Sequence, residues 1–150
     1  MKLLVHENNQ MSDGAPITAM ATINPGLCKK YGIEVEIEQR NEGDIPHLHV
    51  YRNTNRNPKE CSYIRLDKAE YSNHHKDNLP LDKKLKEQFI EIMTAVWRKH
   101  YHESPNGSIR AATSYEVAVD TWVECYEDGS YAKFKLDQNG DPIMPDYTKL

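Results

Sequence analysis

The sequence predicts an α+β fold in a single domain of residues 1–150, with an antiparallel sheet of three or four strands and two helices packed on one face. Two patterns indicate the sheet. Residues 33–38 alternate apolar and acidic side chains, and residues 45–51 carry two histidines on a similar alternation. A third pattern, apolar residues at helical intervals after Asp82, indicates an amphipathic helix. A chain of 150 residues is long enough to bury one core of this kind.

The first two strands are predicted at residues 17–23 and 33–38, separated by a turn at residues 24–26. Because side chains alternate along a strand, the period of two in the second strand assigns its residues to two faces. The face toward the core is expected to carry Ile33, Val35 and Ile37, and the opposite, solvated face Glu34, Glu36 and Glu38.

The third predicted strand, residues 45–51, has apolar side chains on one face and histidines on the other. His47 and His49 point to the same side, whereas Leu48 and Val50 point into the core. Residues 61–66 are predicted to return antiparallel beside this strand, with Ile64 and Leu66 on the core face. Parity then places three further side chains beside the histidines, namely Cys61, Tyr63 and Arg65.

Two helices follow in the sequence. Asp82 is expected to cap the first, which should extend to about His100, so that the segment His100-Tyr101-His102 caps its C-terminal end. Thr113 and Glu116 have the spacing of a capping box, which predicts a second helix over residues 115–126. A β-hairpin across Asp128-Gly129 is the alternative for this segment, because its valines favour strands.

Residues 31–100 contain the motifs Ile45-Pro46-His47-Leu48-His49 and Leu79-Pro80, followed by the predicted helix through Trp97. This order resembles a widespread bacterial family of small domains of unknown function, which carry a Pro-Pro-His-Phe-His-like strand, a strand pair, a Leu-Pro and a Trp-containing helix. The resemblance implies a strand–strand–strand–helix order and a toxin–antitoxin-like or mobile-element setting, and it implies no catalytic residues. The chain departs from the pattern by having one proline where two are usual and a His-rich link at residues 73–76.

The histidines suggest a structural zinc site. Neutral imidazole is a common zinc ligand, and the link that carries the second histidine pair can fold back over the strand. The predicted ligands are His47, His49, His74 and His75, with Glu36 or Cys61 as further candidates. The alternative is that His47 and His49 are half-exposed side chains satisfied by neighbouring glutamates. Cys61 is not expected to be a nucleophile, because three nearby glutamates would disfavour its thiolate.

Charge and cysteine content bear on partners and location. The net charge of −4 argues against direct nucleic-acid binding and favours a basic protein partner. Three cysteines without a CxxC pair argue against a disulfide framework, and no apolar run is long enough to span a membrane, so a cytoplasmic location is expected.

These observations favour a small, cytoplasmic, non-enzymatic protein-binding factor. It would be antitoxin-like, or a phage or mobile-element inhibitor of a nucleic-acid-processing enzyme, such as an anti-defence protein. The alternative is a metal-dependent hydrolase that uses the His-rich strand face, with Glu36 or Glu34 as general base. The sequence contains no Walker, HExxH or GxSxG motif, which weighs against the common hydrolase designs. The oligomeric state is left open.

Overall fold

The computed structural model of the protein describes residues 20–38, 45–52, 61–72, 79–124 and 131–150. Within these ranges it contains a four-stranded antiparallel sheet, a separate two-stranded antiparallel ribbon and three α-helices, which confirms the predicted α+β class. The sheet consists, in spatial and chain order, of β1 (Met20–Thr22), β2 (Glu34–Glu38), β3 (His47–Tyr51) and β4 (Cys61–Arg65). The other elements are α1 (Pro25–Tyr31), α2 (Lys83–Thr94), β5 (Val96–Glu103), β6 (Ile109–Thr113), α3 (Ser114–Glu124) and a short 3₁₀ helix (Tyr147–Lys149).

The core includes the sheet face that the alternating sequence predicts. Val35 pairs with Val50, and Leu48 pairs with Ile64, so these four fully buried side chains lie beside one another. Residues of all three α-helices join the same apolar cluster, among them Cys28, Phe89, Met93, Tyr115 and Trp122. The sequence predicted two helices, and the described part of the chain has three. Their packing on a single face of the sheet stays a prediction.

Helix α1 lies where the sequence analysis placed only a turn. The side-chain oxygen of Asn24 accepts a hydrogen bond from the amide of Leu27 (3.4 Å), and Pro25 occupies the first helical turn, where its missing N–H is not needed. Gly32 ends the helix in the left-handed conformation, with φ of 73°. The helix has only seven residues, and its cap and proline are also typical of a turn, so sequence pattern alone did not separate the two.

Helix α2 begins as predicted but ends earlier. Asp82 accepts a hydrogen bond from the amide of Leu85 (2.8 Å), which confirms the cap. The helix was expected to extend to about His100. It ends at Thr94, and Ala95 has the extended ψ of 143° that leads into β5. Pairing of β5 with β6 overrides the local helical preference, so Trp97 lies in a strand and the predicted C-terminal caps at residues 100–102 are wrong.

Helix α3 confirms the predicted capping box. The hydroxyl of Thr113 accepts a hydrogen bond from the amide of Glu116 (3.2 Å), and Glu116 Oε1 accepts one from the amide of Thr113 (2.9 Å). Residues 114–124 are helical, which decides against a hairpin strand for this part of the predicted segment. Asp128-Gly129 lies outside the described residues.

The ribbon formed by β5 and β6 has an inner face against α3 and an outer face toward solvent. On the inner face, Trp97 and Ala112 pack against Val117 of α3. The register between the strands is interrupted between Val96 and Tyr101, where Lys99 adopts the left-handed φ of 68°. We define the outer face by its exposed and half-exposed residues, Val96, Arg98, Lys99, Tyr101, Glu103, Ile109 and Ala111.

Substitution of Lys99 by glycine tests the strain at this bulge. A left-handed conformation costs a non-glycine residue roughly 1–2 kcal/mol, and glycine adopts it without that penalty but loses more chain entropy on folding. We therefore expect Lys99→Gly to raise the free energy of unfolding by up to about 1 kcal/mol, measured by chemical denaturation. Arg98→Gly is the matched control, since Arg98 is not a positive-φ residue, and it should destabilise the protein. Equal destabilisation by both substitutions would contradict the assigned strain.

Candidate functional site

The predicted histidine face is present on the second face of the sheet. Glu36 pairs with His49 across β2 and β3, and His49 pairs with Tyr63 of β4. The strand register therefore confirms the parity expected from the sequence, which brings Cys61, Tyr63 and Arg65 to the side of the histidines. We define the histidine face as Glu36, His47, His49, Tyr51, Cys61 and Tyr63.

This face is buried, which corrects the expectation of a solvated surface. The exposed fractions are 1% for His47, 3% for His49 and 0% for Glu36. The interpretation of the histidines as half-exposed is therefore wrong. The prediction that Glu36 lies on a solvated face is wrong as well. A glutamate at an alternating position resembles any surface residue in the sequence, so its pattern alone could not reveal this burial.

The rings of the two strand histidines are held in a defined arrangement. The imidazole planes of His47 and His49 are stacked, with centroids 5.3 Å apart and an interplanar angle of 17°. The ring edge of Tyr63 contacts His49, and Trp122 of α3 lies 5.6 Å from His47. His47 Nδ1 lies 2.8 Å from the carbonyl oxygen of Ile45, which can only accept a hydrogen bond, so Nδ1 is the donor and fixes the orientation of the ring. Such orientation by a backbone carbonyl is also common for metal-ligating histidines.

The zinc prediction is not tested by this arrangement. Among the residues that the structure describes, no group of three or more histidine, cysteine, aspartate or glutamate side chains is placed to hold a metal ion. Two of the predicted ligands, His74 and His75, lie outside the described ranges. The site therefore stays a prediction that starts from His47 and His49.

The buried thiols are poorly suited to nucleophilic chemistry. Burial raises the pKa of Cys61 to about 11, although its hydrogen bonds and the nearby positive charge of Arg52 act in the opposite direction. Burial likewise raises the pKa of Cys28 to about 11. The sequence analysis attributed the weak nucleophilicity of Cys61 to repulsion by glutamates. In the structure, burial is the main cause of its raised thiol pKa.

A second cluster of titratable groups, which the sequence analysis did not assemble, lies between the ribbon, α3 and the C-terminal segment. His102 Nδ1 lies 2.9 Å from Asp120 Oδ2, and His102 Nε2 lies 2.8 Å from Asp141 Oδ1. Ser104 donates to Asp141 (2.8 Å), and the hydroxyl of Tyr131 donates to Asp120 (2.5 Å). We call these five residues the ion cluster.

The two carboxylates hold His102 in its protonated form. Burial by itself lowers the pKa of His102, but hydrogen bonds and attraction to Asp120 and Asp141 outweigh it and raise the pKa to about 9. Burial raises the pKa of Asp120, and the hydrogen bonds from His102 and Tyr131 offset this only in part. For Asp141 the bonds from His102 and Ser104 outweigh burial and lower the pKa.

A second ion pair fastens the ribbon to the start of α3. Arg110 of β6 forms two hydrogen bonds to the carboxylate of Glu116, one of them 2.8 Å long, and its guanidinium lies 3.8 Å from Asp141. Burial by itself raises the pKa of Glu116. The hydrogen bonds from Arg110 and the Thr113 amide outweigh burial and lower the pKa below its ordinary value, so the carboxylate is held ionised. The capping box and this pair therefore share one carboxylate.

The arrangement of the ion cluster is suited to stabilising the fold. Both ring nitrogens of His102 are occupied by carboxylates, and the side chain is 1% exposed. The sequence offered one signal for this role, the alternation of His100 and His102 around Tyr101. It offered none for the acidic partners, which lie 18 and 39 residues further along the chain.

Comparison of the chain with protein-family models, curated proteins and solved structures found no match. The resemblance of residues 31–100 to the family with the Pro-Pro-His-Phe-His-like strand therefore stays a prediction. None of the helices in the described part of the chain combines the length and the apolar character needed to cross a bilayer.

Protonation of His102 makes the stability of the protein depend on pH. The pKa rises from an ordinary value of 6.5 to about 9 on folding, so the folded state binds this proton more tightly. The associated stability is fully present below a pH of about 6.5 and is lost as the pH rises through about 9. Chemical denaturation should therefore show a falling free energy of unfolding from pH 6.5 to 8.5. Above that range the buried thiols begin to contribute as well.

His102→Gln should remove this slope. It should also destabilise the protein by about 3–5 kcal/mol at neutral pH, because two carboxylates lose their buried cation. Tyr101→Phe, an exposed neighbour in the same strand, is the control and should retain the slope of the wild-type protein. Wild-type stability that does not change between pH 6.5 and 8.5 would contradict the assigned protonation.

The zinc prediction has a direct test in protein prepared without a polyhistidine tag. Elemental analysis should find about one zinc ion per chain, and chelation should lower the melting temperature, because a closed metal site contributes to folding. His47→Ala should abolish both the metal and the effect of the chelator, whereas His100→Ala, a buried histidine of the ribbon, should affect neither. Metal-free protein that melts identically with and without chelator would refute the site.

Proposed function

We propose that the protein is a non-enzymatic binding factor that acts by occupying the surface of another protein. The observation that carries this proposal is the outer face of the ribbon, where three large apolar side chains are exposed on an element that is joined to α3 and the C-terminal segment by buried ion pairs. The exposed fractions are 58% for Val96, 44% for Tyr101 and 57% for Ile109. Apolar side chains grouped in this way are typical of protein interaction surfaces, and tyrosine is enriched among residues that dominate binding energy.

The placement of the reactive groups supports the same proposal. In the described ranges, the histidines at 47, 49, 100 and 102 and both cysteines are at most 5% exposed. The pKa values of the two thiols are raised by burial, and His102 is occupied on both nitrogens. The groups that could perform chemistry are thus directed inward, whereas the ribbon presents apolar side chains to solvent.

Anchoring of the ribbon supports its use as a binding surface. Two-stranded ribbons are marginally stable by themselves. Here His102 joins the ribbon to α3 through Asp120 and to the C-terminal segment through Asp141, and Arg110 joins it to α3 through Glu116. An interaction surface that is already ordered loses less conformational entropy on binding, so a small apolar face can contribute more affinity.

The narrower proposal concerns the partner. The net charge of −4 supports a basic partner, such as a nucleic-acid-processing enzyme that an antitoxin-like or phage-encoded inhibitor would bind. The ribbon itself carries charges of both signs, so this preference rests on the whole chain and the apolar side chains supply the contact. The free thiols of Cys28 and Cys61 support the cytoplasm as the site of action.

A metal-dependent hydrolase is the second candidate function. It is supported by the position of Glu36 directly opposite His49 and by the carbonyl that orients His47. In that case Glu36 would serve as general base beside a metal held by the strand histidines. Turnover of a phosphoester or amide substrate that disappears in both His47→Ala and His49→Ala would favour this candidate over the binding factor.

The binding proposal is tested by a photo-crosslinking amino acid placed at position 101 in the expressing cell. We expect a stoichiometric crosslink to one protein, identified by mass spectrometry. Tyr101→Asp and Ile109→Asp should each weaken the purified complex about tenfold or more, because they place a charge in an apolar contact. Leu136→Asp is the matched control, since Leu136 is 41% exposed outside the ribbon, and it should leave affinity unchanged. Equal affinity of all three variants would refute the ribbon as the binding surface.

A further inference from the structure

We propose that Asn139 is a site of spontaneous deamidation, and that its isoaspartate product disconnects Asp141 from His102. The sequence contains two Asn-Gly pairs, Asn106-Gly107 and Asn139-Gly140, and both lie in exposed turns. Asparagine is a labile residue, and a following glycine offers an amide nitrogen that no side chain shields. The inference does not depend on the proposed function.

The reaction needs water as its only co-reactant. The amide nitrogen of Gly140 loses its proton to solvent and attacks the side-chain carbon Cγ of Asn139, and ammonia leaves as a cyclic succinimide closes. Water then opens the ring. Cleavage of the new N–Cγ bond gives aspartate, whereas cleavage of the original peptide bond gives isoaspartate, in which the main chain passes through Cβ and Cγ. Either product has a carboxylate in place of the amide.

The two turns have the same backbone hydrogen bonds. The amide of Gly107 donates to the carbonyl of Ser104 (2.8 Å), and the amide of Gly140 donates to the carbonyl of Asp137 (3.0 Å). In each turn the residue that accepts this bond also donates to a carbonyl four residues further on, over 2.9 Å. The glycines have φ of 91° and 83°. The attacking nitrogen is therefore restrained alike in both turns, and the side chains decide which asparagine reacts.

The two asparagine side chains are held differently. Asn106 Oδ1 accepts hydrogen bonds from the amide of Ser108 (2.9 Å) and from its hydroxyl (2.7 Å). The exposed side chain of Asn139 forms no hydrogen bond within the ranges that the structure describes. Asp137 accepts a bond from the backbone amide of Asn139 (2.8 Å), which leaves the carboxamide able to rotate. Because ring closure requires this rotation, Asn139 should react before Asn106.

The longer main chain of isoaspartate would displace Asp141, which follows two residues after the modified position. Gly140 lies against the ribbon turn, since a Cβ built on it would be 2.7 Å from Pro105 Cγ. The turn therefore has no room on that side for an added backbone atom. Asp141 Oδ1 lies 2.8 Å from His102 Nε2, and this contact should break. The contact of His102 Nδ1 with Asp120 lies on α3 and should remain.

Incubation of the purified full chain at near-neutral pH, followed by peptide mapping with mass spectrometry, tests the site. We expect aspartate and isoaspartate at position 139 to form at least about tenfold faster than at position 106, because only Asn106 must break two hydrogen bonds. Ser108→Ala removes one of these donors and should accelerate the reaction of Asn106. Asn139→Gln should abolish product at position 139, because glutamine closes a larger ring, and Asn106→Gln is the matched control.

The structural consequence is measured at His102 by nuclear magnetic resonance of nitrogen-15-labelled protein before and after incubation. The Nε2–H signal should be lost in proportion to the isoaspartate at position 139, whereas the Nδ1–H signal should persist. Asn139→Asp supplies the carboxylate without the longer main chain, so it should keep both signals. Circular dichroism melting checks that every variant folds.

Three results would overturn the inference. The first is an Asn139 that reacts no faster than Asn106. The second is isoaspartate at position 139 that leaves the Nε2–H signal of His102 unchanged, and the third is a fresh protein or an Asn139→Asp variant that lacks this signal. None of these results bears on the proposed function, which is measured by the crosslink at position 101.

Discussion

The charged imidazole of His102, held between Asp120 and Asp141, is the interaction on which the ribbon and its surroundings depend. Its two nitrogens lie 2.9 and 2.8 Å from carboxylate oxygens that belong to α3 and to the C-terminal segment. Without the proton, one ring nitrogen could no longer donate, and the two buried carboxylates would lose the positive charge between them. Because the cation joins three separate segments, its loss would loosen all of them together. The order of the outer face therefore depends on a group hidden behind it.

The two histidine clusters illustrate different uses of burial. On the sheet, His47 and His49 stack against each other beneath aromatic neighbours, and Glu36 lies opposite His49. In the ion cluster, His102 is charged and fully hydrogen-bonded. Both clusters place their polar and titratable side chains in the interior of the protein. The ribbon directs Tyr101 and other apolar side chains outward, and the proposal of a binding factor is based on this contrast.

The sequence predicted those parts of the fold that local periodicity determines. A period of two located Val35 on the core face and, by parity, assembled the histidine face, while the capping box located the start of α3. It failed at β5, because Trp97 continues the apolar pattern of α2 and only pairing with distant β6 selects the strand. The ion cluster was beyond prediction for a related reason. No local pattern connects His102 with Asp141, 39 residues away, and only the folded chain brings them together.

The protonation state of His102 is the central claim, and nuclear magnetic resonance of its ring nitrogens tests it most directly. In protein labelled with nitrogen-15 at near-neutral pH, both ring nitrogens of His102 should carry a proton. Both N–H signals should exchange slowly with water, because each proton lies in a buried hydrogen bond. A ring with a single protonated nitrogen, or one that titrates near its ordinary pKa of 6.5, would contradict the account.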